Sequence, residues 1–170
     1  MLYTEWDRKR ELCGGCPDLL ALTRRTEYAL IALTHLARCG GHLASAREIA
    51  DNYNVPLPLL MNILKRLTQR GLVRSVRGAR GGYVLALSSQ EITVEKLIHA
   101  VEGPVCLTQC IAERDGVPRG ICEVQSGCPV KFSVRSINQK LRELLGQVTI
   151  AQLAEKPEAC PASAAAVAEA

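Results

Sequence analysis

Thiols are the side chains in this sequence best able to do chemistry, and they are unevenly spread. Of eight cysteines, four lie within the 24 residues CLTQCIAERDGVPRGICEVQSGCP, from Cys106 to Pro129. Cys106 stands four positions before Cys110, and 11 and then 5 residues separate Cys110, Cys122 and Cys128. Thiolates favour soft metals, so zinc and an iron–sulfur cluster are the groups this set could hold, with a bare thiol sensor third. The spacings are wider than the C-x-x-C knuckles usual in structural zinc sites, and spacing alone leaves zinc and iron–sulfur even. A connection from Gly103 to Cys128 is too long to be a plain connector. It also has few apolar residues to offset its ordering entropy. Thiolate–metal bonds would supply that stabilisation, so the segment is expected to fold around whatever its cysteines hold.

The other candidates carry less. Cys13-Gly-Gly-Cys16 is a lone C-x-x-C near the N-terminus, a moderate metal or redox signal. Cys39 and Cys160 read as a core thiol and a tail thiol. His35, His42 and His99 have no metal-ligand spacing and read as core or surface residues. No Ser/His/Asp set or paired carboxylates stand out. GARGGY follows an expected strand but leads into another, so it does not form a phosphate loop. The chain does not read as an enzyme.

Charge points to a partner. The formal net charge is only +4, but between Asn52 and Gln90 there is no Asp or Glu while Lys65, Arg66, Arg70, Arg74, Arg77 and Arg80 are all basic. A basic stretch with nothing to neutralise it favours a polyanion. No apolar run approaches the roughly 18 residues of a membrane span, and MLYTEWDRKRELCGGCPDLL lacks a secretory apolar core. A cytoplasmic protein without a membrane partner is expected, in a compartment where thiols stay reduced.

These residues need elements to position them. Hydrophobic residues make up 48% of the chain and aromatics 4%, so the core must be mostly aliphatic. TEYALIALTHLA, from Thr26 to Ala37, has helical spacing and stops at Gly40-Gly41. Ser45 and Glu48 form a capping box that opens a short helix, AREIADNY. After the turn at Asn54-Val55-Pro56, a third helix runs from Pro58 to Arg70, with Leu59, Leu60, Ile63, Leu64 and Leu67 inward and Gly71 as its stop. LVRSVR and YVLAL about a Gly-rich turn make a hairpin. Thr93 caps a helix through Glu102. A long amphipathic helix runs from Pro129 to Gly146, and Thr149 caps a short one, IAQLAE. Helix, helix–turn–helix and hairpin is the order of a winged helix-turn-helix. The expected fold is therefore mostly α with a small β-hairpin wing, a winged domain followed by a long dimerisation helix. The apolar stripe containing Val134, Ile137, Leu141 and Leu144 needs a partner, and a second copy of the chain is the economical one.

In such a fold the third helix would enter the major groove. Asn62 and Lys65 would then reach base edges, Pro58 and Met61 would make apolar contacts, and Arg66 would meet phosphate. Arg74, Arg77 and Arg80 lie on the hairpin, where they would meet phosphate or a narrow minor groove. A two-fold dimer implies double-stranded DNA with a pseudo-palindromic operator.

The ordered motifs LTRRTEYALIAL, VPLPLLMNILKRLTQRGLV, RSVRGARGGYVLA, ITVEKLIHAVEGP, a cysteine-bearing loop and VTIAQL resemble the IscR/NsrR (Rrf-two) family of bacterial winged-helix transcription factors. The resemblance runs from Leu22 to Leu153, and its loop is most similar to that of regulators of SUF-type iron–sulfur assembly operons. It implies a homodimeric DNA-binding regulator, controlled by an iron–sulfur cluster ([2Fe-2S] or [4Fe-4S]) and acting on iron–sulfur assembly or redox and nitrosative stress genes. The alternative is a zinc-stabilised winged helix with no sensing role. By resemblance the ligands are Cys110, Cys122 and Cys128. Lys131 occupies the place of the histidine ligand of IscR-like proteins, three residues after the last cysteine. The fourth ligand therefore stays open between Glu27 of the other subunit, where NsrR-like relatives use a carboxylate, and Cys106 of the same chain. The expected organisation is an N-terminal extension (1–21), a winged domain (22–90), a connecting helix with the cysteine loop (91–128), the dimerisation and terminal helices (129–155) and a tail (156–170).

Overall fold

The computed structural model describes residues 22–78, 81–108 and 127–155, together with the backbone of 113–114 and 117–118. Cys13, Cys16, Arg80, Cys110, Cys122 and Cys160 lie outside the described residues, as do the expected N-terminal extension and tail.

Local chemistry sets the start of each helix. Helix α1 (Arg24–Arg38) begins two residues before the first helical residue expected from sequence, because the Thr23 side chain accepts from the Thr26 amide. In α2 (Ala46–Tyr53) the Ser45–Glu48 capping box forms in both directions. Asn54 then adopts the left-handed conformation, with φ of 51°, and turns the chain into α3 (Leu57–Gln69). Strands β1 (Val73–Val76) and β2 (Gly82–Leu85) pair antiparallel, with Val73 opposite Leu85. Tyr83 of β2 also exchanges both backbone hydrogen bonds with Ala44, which ties the hairpin to the entrance of α2. This contact requires glycine at position 82, where a Cβ would lie 2.7 Å from the Ala44 carbonyl oxygen.

Helix α4 (Val94–Val101) is capped by Thr93. Within the cysteine segment, β3 (Glu113–Arg114) and β4 (Val117–Pro118) form a small antiparallel pair that the sequence pattern did not reveal. Helix α5 (Lys131–Gln147) leads into α6 (Ile150–Ala154), whose Thr149–Gln152 capping box is complete.

One aliphatic core unites these parts. Leu33 and Leu36 of α1, Ile49 of α2, Leu60, Ile63, Leu64 and Leu67 of α3, Leu97 of α4 and Ile150 of α6 are all essentially inaccessible. Helix α6 folds back onto the winged domain: Ile150 N donates to Ile92 O at 2.8 Å, and Arg38 Nε donates to Ala154 O at 3.3 Å. Among the described residues, no helix is long and apolar enough to cross a membrane.

Candidate DNA interface and cysteine site

Burial of one face of α3 leaves the other to solvent. Leu60, Ile63, Leu64 and Leu67 point into the core, while Pro58, Met61, Asn62, Lys65 and Arg66 are exposed on one side of the helix. Leu59, expected inward, is only half-buried. Asn62, Lys65 and Arg66 join Arg25 of α1 around a shallow cavity of about 360 Å³, so the face is cationic as well as open. On the hairpin, Arg74 and Arg77 are exposed. The structure thus brings together three of the expected polar residues of α3 and adds Arg25, which the sequence reading missed.

Arg66 does more than line this face. Its Nη1 donates to the carbonyl oxygen of Val101, the last residue of α4, at 2.8 Å. One residue further on, Glu102 accepts a 2.6 Å hydrogen bond from the Thr23 hydroxyl at the cap of α1. The end of α4 is therefore fastened to both α3 and α1 just where the chain enters the cysteine segment.

A second fastening follows within that segment. Asn138 is 5% exposed, the only buried residue of α5. Its Oδ1 accepts from the Leu107 amide at 3.0 Å, and its Nδ2 donates to the Val105 carbonyl at 3.3 Å. These bonds grip the chain on both sides of Cys106. The available signal was a polar residue inside an apolar stripe, which the stripe itself obscured.

Among the described thiols, Cys106 and Cys128 are half-buried and not disulfide-bonded. Cys128 lies in the turn that starts α5, its carbonyl accepting from the Lys131 amide at 3.5 Å. Cys39 is buried as expected, but it is disulfide-bonded rather than a free core thiol. Glu27, in the first turn of α1, lies 3.7 Å from Arg24 of its own chain, a partly exposed pair of small energetic weight. Among the described residues, no group of three or more His, Cys, Asp or Glu side chains is assembled for a metal ion.

His35 is a buried member of the core, and His42 and His99 are exposed. The His35 Nδ1 lies 3.2 Å from the Tyr53 hydroxyl, and its Nε2 lies 3.7 Å from Glu48 Oε1. Burial pushes the His35 pKa below its ordinary value, and the neighbouring Glu48 carboxylate offsets this only in part.

Comparison with known proteins agrees with this architecture. The Rrf2 family, described as an iron-dependent transcriptional regulator, matches residues 22–156. The chain belongs to the Rrf2 family. Relatives include the HTH-type transcriptional regulator IscR of Pectobacterium carotovorum, 30% identical over 141 residues that cover 82% of each chain. The IscR of Sodalis glossinidius is 29% identical over 140 residues, covering 82% of this chain and 81% of its own. Among solved structures, CymR, the global cysteine regulator of B. subtilis, superposes with a TM-score of 0.65 at 28% identity, over 82% of this chain and 99% of its own. T. potens IscR gives 0.59 at 25% identity, over 89% and 92%. This Rrf2 protein is a transcriptional regulator of the IscR and CymR type, with the helical winged architecture of those proteins. Transcriptional regulation, rather than catalysis, is the role its relatives' names record.

Proposed function

We propose that this Rrf2 protein is a cytoplasmic, homodimeric repressor or activator whose affinity for a pseudo-palindromic operator is set by an iron–sulfur cluster on its cysteine segment. The observation that carries the reading is the position of Cys106 and Cys128. They lie at the two ends of the cysteine segment, one gripped by Asn138 after α4 and the other starting α5. A group held there lies between the winged domain and the long helix.

The donor set fits such a group: soft thiolates, two of them half-buried, in a segment whose sequence has few apolar residues. Cys110, Cys122 and Cys128 would hold the cluster, with Glu27 of the second subunit or Cys106 as the fourth ligand. When bound, the cluster would supply a redox-labile cross-link between these parts. The chain's own residues do the reading of DNA. Asn62 and Lys65 approach base edges with Pro58 and Met61 beside them, while Arg74, Arg77 and Arg80 meet phosphate or a narrow minor groove. Half-site centres are spaced by about 10 bp or a multiple of it. The regulated genes are those of iron–sulfur assembly or of redox and nitrosative stress, as the motif resemblance to the IscR/NsrR family implies.

Anaerobic purification followed by visible absorption and metal analysis tests this. Brown protein is expected, with colour lost in Cys110→Ser, Cys122→Ser and Cys128→Ser and retained in Cys13→Ser, Cys16→Ser and Cys160→Ser. Glu27→Ala should leave a more labile cluster, and Cys106→Ser should change little. Stoichiometric zinc in colourless protein after attempted reconstitution would replace the sensor with a zinc-stabilised DNA-binding module.

A further inference from the structure

The basic face of α3 contains one cation whose geometry differs from the rest. Arg66 is aligned along α3 with the exposed Asn62 and Lys65, as a phosphate-binding residue would be. Yet its guanidinium donates a 2.8 Å bond to the Val101 carbonyl. That carbonyl belongs to the last turn of α4, whose C-terminal acceptors have no partners within the helix. A cation at this end is favoured by the helix dipole as well as by the bond. From Val101 the chain runs through Glu102, held by Thr23, to Val105 and Leu107, both held by Asn138 around Cys106. Seven residues, Val101 to Leu107, thus connect the cysteine segment to the DNA-facing helix. Hydrogen bonds mark both ends of this strap.

We infer that Arg66 is a positioning residue, which holds the recognition helix α3 to the strap and so transmits the state of the cysteine segment to DNA, rather than contacting phosphate itself. The inference rests on the iron–sulfur reading above for what changes that state. Its geometric content does not depend on the cluster. A shift of the strap displaces Val101, and the Arg66 hydrogen bond links this displacement to the exposed face of α3. Lys65, the next residue, shows no such link and is left to meet DNA.

The two roles leave different signatures. A phosphate contact releases counterions, and its loss lowers the slope of log K against log[salt] by about 0.9 per contact. A positioning residue leaves that slope alone and alters the coupling between the iron-loaded and iron-free forms, which for two linked sites is typically about 5–150-fold in affinity. The experiment uses full-length protein and a duplex enriched from a random-sequence pool by the wild type. Affinity is measured by fluorescence anisotropy at several salt concentrations, with iron loaded anaerobically and after removal by chelator.

For Arg66→Gln the expected result is wild-type iron content, an unchanged salt slope, and an iron-loaded to iron-free affinity ratio reduced towards one. Arg77→Gln, on the exposed hairpin, should give the opposite pattern, a lower slope with the ratio kept. Arg66→Met, which retains the aliphatic stem, repeats the measurement if the Gln variant has a lowered urea midpoint. A slope lowered by about 0.9 per protomer in Arg66→Gln would make Arg66 a phosphate contact and overturn the inference. So would a ratio preserved at the wild-type value. A wild-type ratio of one would instead remove iron control itself, and with it the function proposed above.

Discussion

Among the described residues, His35 is the one titratable side chain that the winged core encloses, at 1% exposure. Its Nε2 and the facing Glu48 Oε1 are both buried without a hydrogen-bond partner. The separation of 3.7 Å is too long for a bond, although Glu48 Oε2 accepts from the Ser45 amide and closes the capping box of α2. Desolvation lowers the imidazole pKa, Glu48 pulls the other way, and the positive charge of Arg38 lowers it further. The folded pKa is therefore below the ordinary 6.5. In the window below 6.5 the unfolded chain binds a proton that the folded chain refuses, so stability is full above it and falls as pH drops through it. The urea midpoint of the wild type should decline between about pH 7.5 and about pH 5.5, where the ordinary carboxylates are still ionised. In His35→Phe, which keeps a ring against Tyr53, the decline should be much shallower. Equal declines in the two proteins would assign the pH dependence to other groups.

At the scale of elements, the hairpin depends on an approach only glycine permits. The Gly82 Cα sits so close to Ala44 that a methyl group would lie 2.7 Å from its carbonyl oxygen and 3.0 Å from its carbonyl carbon. The crowded atoms are backbone, so they cannot rotate away. Gly82→Ala should separate β2 from Ala44, endangering the two Ala44–Tyr83 bonds, and cost about 1–3 kcal/mol, the usual range for overpacking. Urea denaturation would measure the loss, and operator binding should weaken further as Arg74 and Arg77 lose their support. A stability within error of the wild type would mean that the strand can move aside. Local signals of this kind made the elements legible: the Ser45–Glu48 box, Thr93, Thr149 and Gly71 are all readable over three or four positions, because caps and turns are local chemistry. The Arg66–Val101 bond spans 35 positions and the Asn138 bonds span 31 and 33. No periodicity encodes pairs so far apart. For the same reason the partners of Asn138 and of Arg66 had no sequence signature, whereas the thiols of the candidate site stood out by residue type alone.

The whole molecule divides the apolar stripe of α5 between two surfaces. Asn138 and the half-buried Val134, Leu141 and Leu145 lie towards the rest of the chain, with Leu145 packed against the core. Arg142 secures the same helix to α4 through a 2.8 Å ion pair with Glu95. Val130, Ile137 and Leu144 are instead 54%, 56% and 58% exposed, spaced seven residues apart on another line. Heptad spacing keeps such a line facing a single partner helix. The expected stripe therefore separates: Ile137 and Leu144 are available to a second subunit, while Val134 and Leu141 are partly committed to their own. Burying a large aliphatic side chain is worth about 1.5–3 kcal/mol, and a two-fold axis counts each of them twice. Ile137→Asp with Leu144→Asp should therefore yield folded monomers with an unchanged urea midpoint per protomer at low concentration. Leu141→Asp should lower the folding stability itself, because it places a charge at a half-buried position. Sedimentation velocity and denaturation of the two variants separate these effects. The monomer should also lose the pseudo-palindromic operator far more than nonspecific DNA, since one winged domain spans only one half-site. A double variant that still sediments as a dimer would move the interface off α5.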